Sequence, residues 1–167
     1  SHYNESHDIL GLDIDTEALQ IAEQKTGIKT QHCDLNADWN IEPASFDAVV
    51  ACEVIEHLYH PDIVLDRIHT VLKPGGILVG SIPHAFNMQT RLKFLFGSKK
   101  LSPLADPTHI NHFSASEFRN LLEKNFTDVE MVGVMTSKYQ FLQKLLPFFF
   151  AHTLLFTGRK TSLDTVN

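Results

Sequence analysis

Cysteine, basic charge and long apolar runs are all scarce in this sequence of 167 residues. The two cysteines, Cys33 and Cys52, lack the Cys-x-x-Cys spacing of a thiolate zinc site, and two residues do not make a disulfide framework. Lys and Arg total 14 against 20 Asp and Glu, which gives a net charge of −6 and argues against a protein that binds duplex DNA. We therefore expect a small-molecule substrate and a reducing, cytoplasmic setting.

No apolar run reaches the roughly 20 residues that span a bilayer. The most apolar C-terminal segment, Leu145–Phe156, is interrupted by Pro147 and His152, and Ser1–Ser6 is polar without a charged leader. We predict no transmembrane segment, and peripheral membrane contact at Leu145–Phe156 stays open.

The length and a hydrophobic content of 43% allow one substantial core, so we predict a single domain over residues 1–167. Apolar runs alternate with amphipathic stretches, which indicates strands alternating with helices. The predicted strands are Ile9–Leu12, Ile28–His32, Phe46–Cys52, Ile77–Ile82, Val129–Val134 and Leu154–Thr157. The predicted helices lie between Asp15 and Gly27, over Pro61–Leu72, over Met88–Phe96 and between Ser114 and Asn125.

This alternation predicts an α/β fold with a doubly wound, mainly parallel, Rossmann-like sheet. The last two strands have no clear helical repeat between them, which predicts a C-terminal antiparallel hairpin. The segment 83–113 carries Pro103 and Pro107 and breaks the regular pattern. Because long excursions inside compact domains often serve as lids or binding loops, we predict a substrate-binding excursion there.

Ligands of open α/β sheets bind beyond the carboxyl ends of the strands, so the residues that end each strand are the candidate site residues. Asp13 ends the first predicted strand, where a carboxylate can accept hydrogen bonds from a ribose diol. Asp34 follows the second strand and can accept from an adenine amino group, with Ile14 or Leu35 against the ring. Taken alone, each aspartate also fits an ordinary turn or cap residue.

Four segments resemble, in order and spacing, successive motifs of class I S-adenosylmethionine-dependent methyltransferases of the type 11, 12 and 23 kind. They are Gly11–Asp15 (GLDID), Cys33–Asn36 (CDLN), Phe46–Val50 (FDAVV) and Leu72–Gly76 (LKPGG). The resemblance extends over Ile9–Lys160. It implies the cofactor S-adenosylmethionine and a structural turn at Lys73–Gly76.

The same resemblance implies that Asp13 binds the ribose hydroxyls of the cofactor and Asp34 its adenine. We place Ile14, Leu35 and Cys52 in the same cofactor site. The family's first strand and its glycine-rich turn should precede Ile9, where this sequence has only Ser1–Asp8. We therefore expect the family's first strand and helix to be absent from this chain and the domain to be N-terminally incomplete.

A second group of polar residues follows the third strand. If this segment is helical, Glu53, Glu56 and His57 are three and four residues apart and share one face. Two carboxylates and an imidazole form half a shell for Mg²⁺, Mn²⁺, Fe²⁺ or Zn²⁺, and a further ligand has to come from His109 or His112. The alternative is that no metal is bound, with Glu53 and His57 as catalytic residues and His57 as the base, or with His57 in a structural, hydrogen-bonded role.

This Glu-x-x-Glu-His element with its distal Thr-His resembles two branches of the family, the ubiquinone-pathway O-methyltransferases and the small-RNA 2′-O-methyltransferases. The resemblance implies a divalent metal held by Glu53, Glu56, His57 and His109. The first function hypothesis is O-methylation of a small hydroxylated metabolite, glycan or lipid-linked precursor. Two alternatives stay open: a metal-dependent RNA 2′-O-methyltransferase, and a catalytically silent domain that associates with a partner or a second copy of itself.

Overall fold

A computed structural model describes residues 7–100, 102–135 and 148–161 of the chain. Residues 1–6 and 145–147, which belong to the segments Ser1–Asp8 and Leu145–Phe156 considered above, lie outside this description. The chain divides into two compact units, Ser1–Asn40 and Ile41–Asn167. The single-domain organisation stays a prediction.

The first unit is a strand, a helix and a second strand in parallel. Strand β1 is Leu10–Asp13, helix α1 is Thr16–Thr26 and strand β2 is Lys29–His32. The Asp15 carboxylate accepts from the backbone N–H groups of the first helical turn, and Gly27 ends the helix at a φ of 71°. The predicted strand, cap, helix and stop are confirmed in this unit.

The second unit contains four strands and three helices among the described residues. Its strands are β3 (Phe46–Cys52), β4 (Leu72–Pro83), β5 (Thr127–Val134) and β6 (Thr153–Arg159). Its helices are α2 (Pro61–Val71), α3 (Met88–Leu95) and α4 (Ala115–Leu122), with single turns of 3₁₀ helix at Ile55–His57 and Pro103–Ala105.

These strands form one mixed sheet in the order β3-β4-β6-β5. Strands β3 and β4 run parallel, whereas β6 is antiparallel to both β4 and β5. The predicted α/β class and the antiparallel pairing of the last two strands are confirmed. Fully buried side chains pack against this sheet, among them Leu78, Phe118 and Phe156.

The segment Lys73–Gly76 differs from its predicted role. It does not separate helix α2 from a strand, because β4 begins at Leu72, directly after the helix, and includes it. The backbone of Gly75, at a φ of 76°, and of Gly76 bonds to Lys160, so the segment is paired as a bulge. The register shift between Phe46 and Ala48 on β3 accommodates the extra residues. The prediction of a turn was therefore wrong, since pairing with Lys160 draws these residues into the sheet.

The excursion 83–113 contains α3 and the 3₁₀ turn at Pro103–Ala105. The structure describes all of its residues except residue 101. The returning chain enters α4 through a capping box, in which Ser114 and Glu117 each bond to the other's backbone N–H. None of the helices in the described ranges has the length and apolar character needed to cross a membrane.

Candidate active site

Asp13 and Asp34 occupy neighbouring strand ends in the first unit. The backbone N–H of Cys33 donates to the carbonyl of Asp13 at 2.9 Å, so β1 and β2 stop side by side. The Asp13 side chain is exposed, and its Oδ1 accepts from the backbone N–H of Asp15 at 2.9 Å. A carboxylate has about four acceptor sites, so Asp13 keeps the capacity to accept from two further hydroxyl groups.

Asp34 is also exposed and forms the turn that the sequence allowed. Its Oδ1 accepts from the backbone N–H and the side-chain amide of Asn36, at 2.9 and 3.1 Å. Ile14 lies directly after β1 with 62% of its surface exposed. Two exposed carboxylates and an exposed apolar side chain suit a nucleoside, because its hydroxyls and amino group are donors and its base is a flat apolar surface.

Glu53 occupies a strained turn at the carboxyl end of β3. Its φ is 53°, a left-handed conformation that residues other than glycine seldom adopt. The neighbouring strand holds it twice: its N–H donates to the carbonyl of Ser81 at 2.9 Å, and the Ser81 hydroxyl donates to its Oε1 at 2.7 Å. Cys52, the residue before it, is exposed and paired in register with Ser81. Glu53 therefore precedes the 3₁₀ turn Ile55–His57 and is not on a helix face with Glu56 and His57.

Glu56 is a buried carboxylate that lacks hydrogen bonds among the described residues. Only 1% of its surface is exposed, and neither Oε1 nor Oε2 has a hydrogen-bond partner there. Burial raises the pKa of this carboxyl, and the nearby charge of Glu53 raises it further. Such a group is costly in a folded protein and calls for a partner that restores its lost interactions.

His57 and His109 lie beside this carboxylate with their rings in contact. The ring centroids are 4.8 Å apart, and Nε2 of His57 lies 3.7 Å from Oε1 of Glu56. Nδ1 of His57 lies 2.9 Å from the carbonyl oxygen of Thr108, and Nδ1 of His109 lies 3.0 Å from that of Pro103. A carbonyl only accepts, so each Nδ1 carries a proton, and in the neutral form of each ring Nε2 presents a lone pair.

Backbone hydrogen bonds bring the distal histidine to the strand end. The carbonyl of Glu56 accepts from the N–H groups of Ile110 and Asn111, at 3.0 and 2.9 Å. The Asn111 side chain donates to the carbonyl of Leu58 at 2.6 Å. This clamp holds the end of the excursion against the 3₁₀ turn that carries Glu56 and His57. No sequence pattern pointed to Asn111.

The structure therefore brings together three of the four predicted metal ligands. One ligand atom from each of Glu56, His57 and His109 lies within 4.8 Å of the others, and among the described residues they form the one such group. Glu53 is outside it, and His112, the other candidate histidine, is half-buried and also outside it. Sequence reasoning did not single out Asp106, whose Oδ2 lies 3.8 Å from Nε2 of His109, or the role of the Ser81 hydroxyl.

A buried carboxylate without hydrogen bonds and two imidazole lone pairs fit a divalent cation. Metal-binding histidines typically donate the other ring N–H to a backbone carbonyl, as both histidines do here. Two nitrogen ligands and one oxygen ligand suit Zn²⁺, Fe²⁺ or Mn²⁺ better than Mg²⁺, which prefers oxygen alone.

Three comparisons relate this chain to known proteins. Residues 1–80 match the family described as "Methyltransferase domain". The chain is 29% identical over 106 residues to a ubiquinone biosynthesis O-methyltransferase of Colwellia psychrerythraea, covering 60% of this chain and 43% of that protein. It is 28% identical over 137 residues to the mitochondrial ubiquinone biosynthesis O-methyltransferase of Rattus norvegicus, covering 76% of this chain and 40% of that protein.

The fold has solved counterparts. The structure of a SAM-dependent methyltransferase from Thermotoga maritima, described as a possible histamine N-methyltransferase, superposes with a TM-score of 0.68 and 18% identity. The match covers 91% of this chain and 72% of that one, which confirms the Rossmann-like α/β fold. The chain spans well under half the length of the two curated relatives described above.

Proposed function

We propose that this chain, whose residues 1–80 match a methyltransferase family, is a class I S-adenosylmethionine-dependent methyltransferase that transfers a methyl group to a hydroxyl oxygen. The proposed acceptor is a small hydroxylated metabolite, glycan or lipid-linked precursor. The observation that carries the proposal is the Glu56, His57 and His109 cluster at the carboxyl end of β3. Its lone pairs and buried carboxylate suit the activation of a hydroxyl, and the names of the two curated relatives agree with O-methylation.

We assign cofactor binding to Asp13, Ile14, Asp34, Leu35 and Cys52. S-adenosylmethionine, when bound, supplies a methyl group on a positively charged sulfur. Asp13 accepts hydrogen bonds from the ribose hydroxyls, and Asp34 keeps lone pairs on Oδ2 for the adenine amino group. Ile14 covers a face of the base, which its exposed side chain fits.

We assign the divalent cation to Glu56, His57 and His109, with Glu53 as a nearby negative charge. A cation held there supplies positive charge that favours the deprotonated form of the acceptor hydroxyl. The Thr108 and Pro103 carbonyls fix both rings with Nε2 directed away from them. In the alternative without metal, Nε2 of His57 accepts the hydroxyl proton while the oxygen–carbon bond forms and the carbon–sulfur bond breaks.

The proposal is tested with the purified protein. Titration calorimetry with S-adenosylhomocysteine should show binding, and a labelled methyl group should pass to a dihydroxybenzoate or to a lipid-linked phenol. Chelation followed by return of Mn²⁺ or Zn²⁺ separates the two mechanisms, because only the metal-dependent one loses and regains activity. Absence of S-adenosylhomocysteine binding would overturn the proposal and favour a catalytically silent domain.

A second candidate, methylation of the 2′-hydroxyl at RNA ends, uses the same cluster. The observation in its favour is the basic segment Arg91–Lys100, which has four cations and no acidic residue. Labelled methyl transfer to a short RNA, abolished by chelation and weakened by salt, would support this candidate over the metabolite. Transfer to the phenol with none to RNA would exclude it.

Exchange of Asp13 for asparagine should weaken S-adenosylhomocysteine binding by about tenfold to a hundredfold, because a charged acceptor is lost from two hydroxyl groups. Calorimetry measures the change. Asp47→Asn is the matched control: Asp47 lies in the first half of β3, away from the strand's carboxyl end, and is paired with Lys73 at 2.8 Å on the surface. Equal affinities of the two variants would contradict the role of Asp13.

A further inference from the structure

Helix α3 ends in four exposed apolar side chains, which we call the apolar tip. The exposed fractions are 44% for Leu92, 44% for Phe94, 77% for Leu95 and 81% for Phe96. Large apolar residues exposed singly are ordinary, but four within five positions form a patch of the kind that marks an interaction site.

The tip is well ordered at its base. Asn87 and Thr90 in the first turn are buried at 4% and 2% exposure, and the Asn87 side chain accepts from the Thr90 N–H at 3.0 Å. The N–H of Met88 donates to the carbonyl of Phe149 at 2.7 Å. The exposure of the last turn is therefore not the result of a detached helix, because the first turn is packed into the second unit.

The end of the helix is closed in a defined geometry. Gly97, at a φ of 72°, donates to the carbonyl of Phe94 at 2.8 Å, and Ser98 donates to that of Lys93 at 2.8 Å. This pair of bonds is the Schellman arrangement, which stops a helix at a left-handed residue. It holds Leu95 and Phe96 at the outermost turn.

The segment that carries the tip has charged residues of one sign only. Residues 86–105 contain Arg91, Lys93, Lys99 and Lys100 and no Asp or Glu, in a chain whose net charge is −6. Lys99 and Lys100 are exposed directly after the tip. An apolar end flanked by cations is complementary to a surface that is apolar inside and anionic outside.

We propose that the apolar tip inserts into the headgroup region of an anionic lipid bilayer, with Lys99 and Lys100 on the lipid phosphates. The distribution around the helix favours a bilayer over a groove in a protein. Leu92, Leu95 and Phe96 lie on one side at spacings of three and four, whereas Phe94 points to about the opposite side. A groove covers one stripe of a helix, but lipid surrounds an inserted end on all sides. This inference does not depend on methyl transfer.

The test is cosedimentation of the protein with vesicles of phosphatidylcholine alone or with about 30% phosphatidylglycerol, an anionic lipid that attracts basic segments. Wild-type protein should bind the anionic vesicles, and Leu95→Ser with Phe96→Ser should weaken binding by about tenfold or more. Lys99→Gln with Lys100→Gln should bring binding close to the level on phosphatidylcholine. Ile63→Ser, on an apolar residue of α2 with 42% exposure, is the control and should bind as wild type.

A second measurement reports insertion directly. Phe96→Trp should be quenched by brominated lipid in anionic vesicles, and circular dichroism should show that every variant is folded. Unchanged vesicle binding by the Leu95 and Phe96 variant would overturn the proposal. A second result would also overturn it: light scattering shows that the wild type is a dimer and the Leu95 and Phe96 variant a monomer, and the wild type does not bind vesicles. The tip would then be an interface between protein chains. Binding of S-adenosylhomocysteine is measured in parallel, so failure of the proposed function is seen separately.

Discussion

Replacing Glu56 with glutamine should lower methyl transfer by about two to four orders of magnitude, the range expected when a metal ligand or a proton-transfer arrangement is lost. Glutamine keeps the shape of the side chain but removes the charge that would hold the cation. His57 and His109 keep their carbonyl partners in this variant. The loss therefore reports the carboxylate itself. A radiometric methyl-transfer assay at saturating metal measures it.

The same variant should make the metal-free protein more stable at neutral pH. Burial raises the pKa of Glu56 in the folded state above its ordinary value. The folded protein thus binds this proton more tightly than the unfolded chain, and the stability it provides is lost as the pH rises through the raised pKa. Glutamine cannot ionise, so the Glu56→Gln protein should not lose this contribution to stability as the pH rises. Urea unfolding after chelation, at pH 5 and pH 8, measures the difference.

Metal should reverse the order of stability. A cation at about 100 times its Kd stabilises the folded wild type by about 2.7 kcal/mol, whereas Glu56→Gln should gain little. Glu117→Gln is the matched control. Hydrogen bonds from Ser114 lower the pKa of Glu117, so the shift is opposite in direction to that of Glu56. That variant should lose some stability above the ordinary glutamate pKa and should keep its activity. Equal metal stabilisation of Glu56→Gln and wild type would refute the assignment of Glu56.

The predictions that held depend on neighbours in sequence. Asp15 and Gly27 bound α1 because a carboxylate before a helix and a left-handed glycine after it act within one turn of chain. The Ser114 and Glu117 capping box is equally local. Strand β3 was predicted at its observed limits, Phe46–Cys52, because a β-branched apolar run bounded by polar residues leaves little choice.

The features that sequence did not reveal depend on distant partners. The turn proposed at Lys73–Gly76 is a bulge because Lys160 pairs with it, 84 residues beyond Gly76 in the chain. Glu53 leaves the helical face because Ser81 holds its backbone and its carboxylate. Helical periodicity predicts which residues share a face only where a helix is present. Here the helical turn covers Ile55–His57 alone and does not include Glu53.

The same distinction between local and distant partners applies to the candidate metal site. Glu56 and His57 are adjacent in sequence and could be proposed as ligands directly. His109 and His112 were both candidates by spacing, and the family resemblance selected His109. The structure adds the bonds of Ile110 and Asn111 to the carbonyl of Glu56, which no sequence pattern predicted. Those bonds fix the direction in which the loop presents its histidines. Only His109 then joins the group among the described residues.

Gly80 lies in β4, between Ala51 of β3 and Phe156 of β6, where the strands pack closely. Gly80→Ala should destabilise the protein by about 3 kcal/mol, the upper part of the range for overpacking. A Cβ on Gly80 would lie 2.1 Å from the carbonyl oxygen of Ala51 and 2.5 Å from Cζ of Phe156. The first contact is with backbone, so no rotamer change relieves it. Strand β4 has to move away from β3.

The expected shift in Tm is roughly 6–12 °C for a protein of this size, measured by calorimetry or circular dichroism. Gly11→Ala is the matched control, since its nearest contact is an ordinary 3.4 Å to the side chain of Ile28, and it should change stability by less than about 1 kcal/mol. The displacement also reaches the site, because Ser81 follows Gly80 and donates to Glu53. Gly80→Ala should therefore lower activity even at a temperature where the variant is folded. An unchanged Tm would contradict the close packing of β3 against β4.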